Sequence, residues 1–184
     1  MNHTNYIFKI TLIGDGAVGK TSIRNSFMGY GFQQSHLMTL GADFSVIDKQ
    51  ILPNETWKFQ IWDLGGQQIF QQVRARFYNG SMGALLVFDI TRKETFLNCS
   101  KWLDELYRFN GRGVVPVIVL ANKADLRTRK STRIKDVEKY VNQLNKKTSQ
   151  SNVKNYLLET SAKTGLNIDL AFEYLGKAIR KRNK

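Results

Sequence analysis

The chain has 184 residues, 42% of them apolar, and a formal net charge of +13, a length and composition that suit one domain with a core of its own. Its one cysteine, Cys99, excludes an intrachain disulfide and fits a reducing compartment. No apolar run approaches the roughly 18 residues of a membrane-spanning helix, and no cleavable leader pattern precedes the first strand.

The positive charge is lopsided. Residues 1–92 carry 8 Lys and Arg against 6 Asp and Glu; residues 93–184 carry 20 against 9. Two basic clusters stand out, residues 127–139 and the tail 177–184. Solvated helix faces account for much of this. An anionic partner is the sharper reading: a membrane surface or an acidic protein. Nucleic acid is set aside, because no interleaved aromatic pattern accompanies the charge.

Residues 6–13 are rich in β-branched and aromatic side chains and read as a buried strand. Gly14–Thr21 follows as Gly-x-x-x-x-Gly-Lys-Thr, the phosphate-binding loop pattern, and Ser22–Met28 continues as a helix. In such a loop successive N–H groups curl around an anion, and the positive end of the helix dipole faces it. Asp15, Gly16, Ala17, Val18 and Gly19 then supply the cradle, and Ser22 lies beside it. Lys20 places a charge on the outer phosphates, and the Thr21 hydroxyl ligates Mg²⁺. Gly14, Gly16 and Gly19 are expected where a Cβ would block the φ angle or the approach to phosphate.

Residues 29–41, with two glycines at the start and little periodicity, read as a ligand-sensing loop. Residues 42–52 and 57–62 read as a hairpin around a turn at 53–56, with Trp57, Phe59 and Ile61 alternating against Lys58 and Gln60. Asp63-Leu-Gly-Gly-Gln67 ends that hairpin, and a short helix is expected over 68–78. Gly83–Asp89 and Val114–Ala121 are continuous apolar runs, expected as interior strands. Helices are expected over 95–108, with Phe96, Leu103 and Leu106 on the apolar side, over 133–144, and over 168–182. In the last two, Ile134, Val137, Val141 and Leu144, and Ile168, Phe172, Leu175 and Ile179, form the inward stripes. A short strand at 155–159 completes the series. Strands alternating with helices imply an α/β fold: one domain over 1–184, with a six-stranded, mostly parallel sheet, one antiparallel strand and five helices in three layers.

Ligands of such sheets bind beyond the carboxyl ends of the strands. There Asp63 is placed to hold Mg²⁺ beside the phosphates, and Gly65-Gly66 frees a backbone N–H to reach a terminal phosphate. Gln67 is placed to orient an attacking water. Asn122-Lys123-Ala-Asp125 follows an apolar strand. Asp125 only accepts hydrogen bonds, which matches the two N–H donors of guanine and opposes adenine. Asn122 can tie this turn to the phosphate loop, and the Lys123 stem can lie over the base. Ser161-Ala162-Lys163 follows the last strand, with the Ala162 N–H facing the purine oxygen. Thr39 can ligate Mg²⁺, and Phe32 can pack against the base.

With these motifs in this order, the sequence resembles the Ras-like small GTPases over essentially its whole length. Thr39–Phe44 and Phe77–Gly83 look like Rab proteins. Trp62-Asp-Leu-Gly-Gly-Gln67 looks like Arf proteins, and Gly14–Thr21 is common in Rho proteins as well. The resemblance implies a P-loop NTPase G domain that binds GTP and GDP with Mg²⁺, hydrolyses GTP slowly, and orders two loops around the γ-phosphate. It makes Thr39 and Gly66 the sensors, Phe32 the aromatic beside guanine, and Gln67, with Lys20 and Thr39, the catalytic set. Thr21, Thr39 and Asp63 become the metal residues; Asn122, Lys123, Asp125, Ser161, Ala162 and Lys163 frame the base. It implies an exchange factor, an activating protein with an arginine finger, and effectors. The chain is expected as a cytoplasmic monomer in membrane trafficking or signalling, with peripheral contact to anionic membrane through the basic tail.

Two departures stand out. Ile179–Lys184 holds no cysteine and residue 2 is Asn, so no lipid anchor of the usual kind is expected on these residues. Gln68-Ile69 stand where Rab proteins usually carry Glu-Arg. No arginine of the first loop is placed to act in cis, and His36 there is expected merely exposed. Two other readings compete: a nucleotide-locked scaffold serving as a constitutive binding module, and an ATP-dependent metabolic kinase. Intact Gln67, Thr39 and Gly66 oppose the first. Asp125 and the lack of a lid segment oppose the second.

Overall fold

The computed structural model describes residues 4–32, 39–67 and 71–182. Among them the chain runs β1 (Thr4–Ile13), α1 (Lys20–Phe27), β2 (Ala42–Leu52), β3 (Glu55–Leu64), α2 (Gln71–Tyr78), β4 (Gly83–Asp89), α3 (Lys93–Leu97), α4 (Cys99–Phe109), β5 (Val117–Asn122), α5 (Ile134–Lys147), β6 (Tyr156–Glu159) and α6 (Ile168–Arg182). The single sheet has the order β2-β3-β1-β4-β5-β6. β2 is antiparallel to β3, and every other neighbour is parallel. The expected sheet is therefore the observed one.

β4 and β5 are buried at every position, as a strand covered on both faces must be. β3 alternates: Trp57, Phe59 and Ile61 are buried, while Lys58 and Gln60 are half-exposed. Two hydrophobic clusters sandwich the sheet. On one face, Phe8, Ile10, Trp57 and Phe59 pack with Ile23 and Phe27 of α1 and Phe172, Leu175 and Ile179 of α6. On the other, Ile13, Leu86, Phe88 and Val119 pack with Trp102, Leu103 and Leu106 of α4 and Val137, Val141 and Leu144 of α5.

The differences from expectation are at boundaries. The helix expected over 95–108 is two abutting segments, α3 and α4, joined at Asn98. α5 runs three residues beyond 144, and a 3₁₀ turn at Ser149–Ser151 follows. β1 begins at Thr4 and β3 spans Glu55–Leu64, because ladder pairing with β2 and β1 extends past the apolar runs. The expected start of α2 at 68–70, most of the first loop (33–38, including His36), and residues 1–3 and 183–184 lie outside the described residues. Among the described residues no helix is long and apolar enough to cross a membrane.

α6 is locked to the sheet at Trp57. That indole is fully buried, meets Phe8 edge-on at 5.2 Å, and lies against Gly176. A Cβ on Gly176 would stand 2.3 Å from the ring. Helix propensity alone would make Gly176→Ala stabilising by about 1 kcal/mol. Overpacking opposes this, and we expect a net loss of about 1–3 kcal/mol. The midpoint of urea unfolding decides the sign; an unchanged or raised midpoint would mean the ring yields freely.

Candidate functional site

β1, β3, β4, β5 and β6 end on one edge of the sheet, and β2 begins there. The loop from Gly14 to Gly19 lies at that edge. Gly14 has φ +136° and a Cβ there would meet the Val87 carbonyl oxygen at 2.0 Å. Gly19 has φ +100° and faces the Asn122 amide, 2.4 Å from where a Cβ would sit. Both positions need glycine, as expected. At Gly16 the φ is not left-handed and a Cβ would meet no protein atom within 4 Å, so the approach to phosphate is the reason for glycine that stays with this position. Ala17 takes a left-handed φ of 59° despite its side chain.

Five consecutive carbonyls of this loop accept side-chain donors. Lys20 Nζ donates to Gly14 at 2.7 Å and Asp15 at 2.8 Å. Arg92 Nη2 donates to Gly16 at 2.9 Å, Lys123 Nζ to Ala17 at 2.9 Å, and Asn122 Nδ2 to Val18 at 2.8 Å. Among the described residues no peptide is cis, so the N–H of each of these units points away from its carbonyl and from the donor that holds it. Side chains from α1, β5 and the turns after β4 and β5 thus orient a run of N–H groups, an arrangement suited to an anion. Asp15 is fixed sideways, accepting from Trp102 Nε1 at 2.7 Å and Asn98 Nδ2 at 2.8 Å.

Thr21, Thr39 and Asp63 converge. Thr21 Oγ1 donates to Asp63 Oδ2 at 2.6 Å and lies 2.9 Å from Thr39 Oγ1. Asp63 is fully buried, and its Oδ1 has no hydrogen-bond partner among the described residues. Burial pushes its carboxyl up, while the Thr21 hydrogen bond and the Lys20 and Arg24 charges pull it down. A buried carboxylate oxygen without a partner costs free energy. Two hydroxyls beside it complete a hard-oxygen set that fits Mg²⁺, which keeps several waters when bound to few protein ligands. Among the described residues there is no His, Cys, Asp and Glu cluster suited to another metal.

The second loop is stitched to both. Gly65 N–H donates to Gly41 C=O at 2.7 Å. A Cβ on Gly65 would stand 2.8 Å from Thr39 C=O, and one on Gly66 2.5 Å from the Gly16 nitrogen. Arg74, buried on α2, donates to Gly65 C=O at 3.0 Å and to Gln67 C=O. It forks onto Glu105 at 2.8 and 3.1 Å and stacks over Trp102 at 4.6 Å.

At the other end, Ser161 Oγ donates to Asp125 Oδ1 at 2.6 Å, and Thr160 Oγ1 donates to Asn122 Oδ1 at 3.2 Å. Lys123 Nζ also pairs with the buried Asp89 at 2.7 Å. Asn122, Lys123, Asp125 and Ser161 are therefore one network, with Ala162 buried beside it. Phe32 is 42% exposed and joins neither hydrophobic cluster, and Lys163 is exposed. Ser22 is half-buried on α1. Sequence reasoning missed Arg24, Asp89, Arg92, Asn98, Trp102 and the Arg74–Glu105 pair. For Arg24 there was a signal: it lies four residues after Lys20, on the same helix face.

Comparison with known proteins agrees with this geometry. The family described as Ras family matches residues 9–181. The chain is 33% identical over 180 residues to GTP-binding protein YPTM1 of Zea mays, covering 98% of this chain and 81% of that protein. It is 33% identical over 168 residues to Ras-related protein RABA4d of Arabidopsis thaliana, covering 91% and 71% respectively.

Lys20 gives this site a pH signature. It is buried, and burial lowers its amine from 10.5 to about 8 against the pull of Asp63 and Asp15. The unfolded chain therefore binds more protons than the folded one between about pH 8 and 10.5, so stability rises with pH across that window. In protein stripped of bound anions we expect a rise of about 1 kcal/mol per pH unit there. The rise should be absent in Lys20→Met, as read by urea midpoints at pH 8 and 10. Parallel curves for the two proteins would rule it out.

Proposed function

The chain belongs to the Ras family, is a small GTPase most similar there to Rab proteins, and on that footing we propose that it is a Mg²⁺-dependent switch. In this reading GTP fastens two loops, and hydrolysis to GDP releases them. The observation that carries it is the meeting of Thr39, Thr21, Asp63 and Gly66 at the phosphate loop. A single terminal phosphate placed there faces one sensor from each loop.

Thr21, Thr39 and Asp63 would hold Mg²⁺, which when bound neutralises phosphate charge. The rest falls to the chain. Lys20 and the oriented N–H groups of the phosphate loop, with Ser22 beside them, bind and neutralise the phosphates. Gly66 N–H senses the last of them, and Gln67 orients the attacking water. Asp125 reads the guanine donors, with Ser161 fixing its carboxylate. Ala162 N–H meets the purine oxygen, the Lys123 stem covers the base with Lys163 nearby, and Phe32 packs at its edge. Arg24, Arg74 and Arg92 each serve protein carbonyls or carboxylates. This supports slow intrinsic turnover, quickened by an arginine from an activating protein.

Leu40, Phe44 and Val46 are exposed beside the first loop, and Trp62 sits between Phe44 at 4.7 Å and Phe77 at 5.2 Å. This apolar strip next to the loops supports recognition of the fastened state by effectors in membrane trafficking or signalling. The basic end of α6, Arg180 to Arg182, supports peripheral attraction to an anionic membrane.

Gln67→Leu should retain GTP and lose most hydrolysis, at least about tenfold in single turnover. Wild-type protein that binds GTP but never turns it over would favour the locked-scaffold reading instead. Asp125→Asn should weaken GDP binding by about 2–4 kcal/mol, because a guanine donor then lacks its acceptor. Calorimetry giving equal affinities would reject Asp125 as the base reader.

A further inference from the structure

Behind the Thr21–Thr39–Asp63 cluster lies a charge arrangement that the switch reading does not use. Asp43 and Asp63 are register partners on β2 and β3. Two carboxylates directly opposite in an antiparallel pair repel each other. Arg24 answers both. Its guanidinium is buried, its Nη1 is bonded to Asp43 Oδ2, and the same nitrogen is 4.0 Å from Asp63 Oδ2. Asn25 Oδ1 holds the opposite edge, at 3.2 Å from Nη2. The guanidinium cannot give up its proton, so this is a permanent cation.

A fixed positive charge beside Asp63 competes with any divalent cation that this carboxylate serves. Asp43 draws the charge the other way. We infer that the Arg24–Asp43 pair sets the affinity of the Thr21–Thr39–Asp63 site for Mg²⁺: Arg24 weakens it, and Asp43 limits how much. The pair thereby governs how readily bound nucleotide is released when magnesium is scarce. This rests on the Mg²⁺-dependent reading above. Asp43 stands just after the first loop, so the pair also joins that loop to α1.

The test measures release of fluorescent GDP at buffered free Mg²⁺ and compares the Mg²⁺ midpoint for retention among variants. Arg24→Leu, of similar bulk, should lower the midpoint about tenfold, since a full charge a few ångströms away is removed. Asp43→Asn should raise it about threefold, because the guanidinium is then left to Asp63 alone. Arg24→Lys should stay near wild type. Opposite shifts are the signature, which a merely structural role would not produce: loosening the loop would raise the midpoint in both variants. Shifts in the same direction, or both under about twofold, overturn the inference. Should Arg24→Leu not fold, Arg24→Gln takes its place, since it removes the charge and keeps a donor for Asp43; its midpoint should likewise fall, and a rise would overturn the inference. A wild type that retains GDP without any Mg²⁺ dependence overturns this inference and the metal assignment, but not guanine binding. A wild type that takes up no GDP overturns the parent reading as well.

Discussion

The site depends on one constraint, the capture of five successive carbonyls, Gly14 to Val18, by side-chain donors. Fixing the oxygens fixes the peptide planes, and that leaves the N–H groups on the other side as a preformed cradle. A loop that had to be oriented by its ligand would spend binding energy on ordering. Here the ordering is done by folding, because the donors are anchored on α1, β5 and the turns that follow β4 and β5. The same tether, through Asn122 and Lys123, positions the phosphate loop and the turn after β5 together.

The described parts of the two loops beside the cradle meet through contacts of a particular kind. Thr39 meets Thr21 through one hydroxyl pair, and Gly41 meets Gly65 through one backbone hydrogen bond. Gly65 and Gly66 allow an approach that any Cβ would prevent. Such a closure is strict in geometry. Arg74 gives the second loop a firmer root. It is buried and bidentate on Glu105, and it stacks on the same Trp102 that holds Asp15. Breaking one member of a buried ion pair costs about 3–5 kcal/mol, so this root is firm.

Charge in this region is balanced in layers. Lys20 lies near Asp63 and Asp15, Arg24 between Asp43 and Asp63, and Arg92 and Lys123 on Asp89. Each cation has a protein carboxylate near it and also borders the space where phosphate and metal are expected. The depressed Lys20 amine and the raised Asp63 carboxyl share one physical origin, burial before the partner arrives.

What the sequence determined by itself is whatever is encoded locally. The phosphate loop, the interior strands expected over 83–89 and 114–121, the alternation in β3 and the inward stripes of α5 and α6 follow from spacing within a few residues, and the structure agrees with each, with the second strand running Val117–Asn122. The meeting of Thr21, Thr39 and Asp63 was implied by the resemblance to the Ras-like small GTPases, and the three side chains lie 2.6 and 2.9 Å apart. Tertiary structure alone decided the rest. It set Asp43 opposite Asp63, brought Arg92 to Gly16 across 76 residues and Arg74 to Glu105 across 31, broke the third predicted helix at Asn98, and relieved Gly16 of any conformational need for glycine. The reason is physical. Periodicity reports which face of an element is buried, whereas register between strands and pairing between distant charges depend on how the packed layers settle against one another, and no short stretch of chain carries that information.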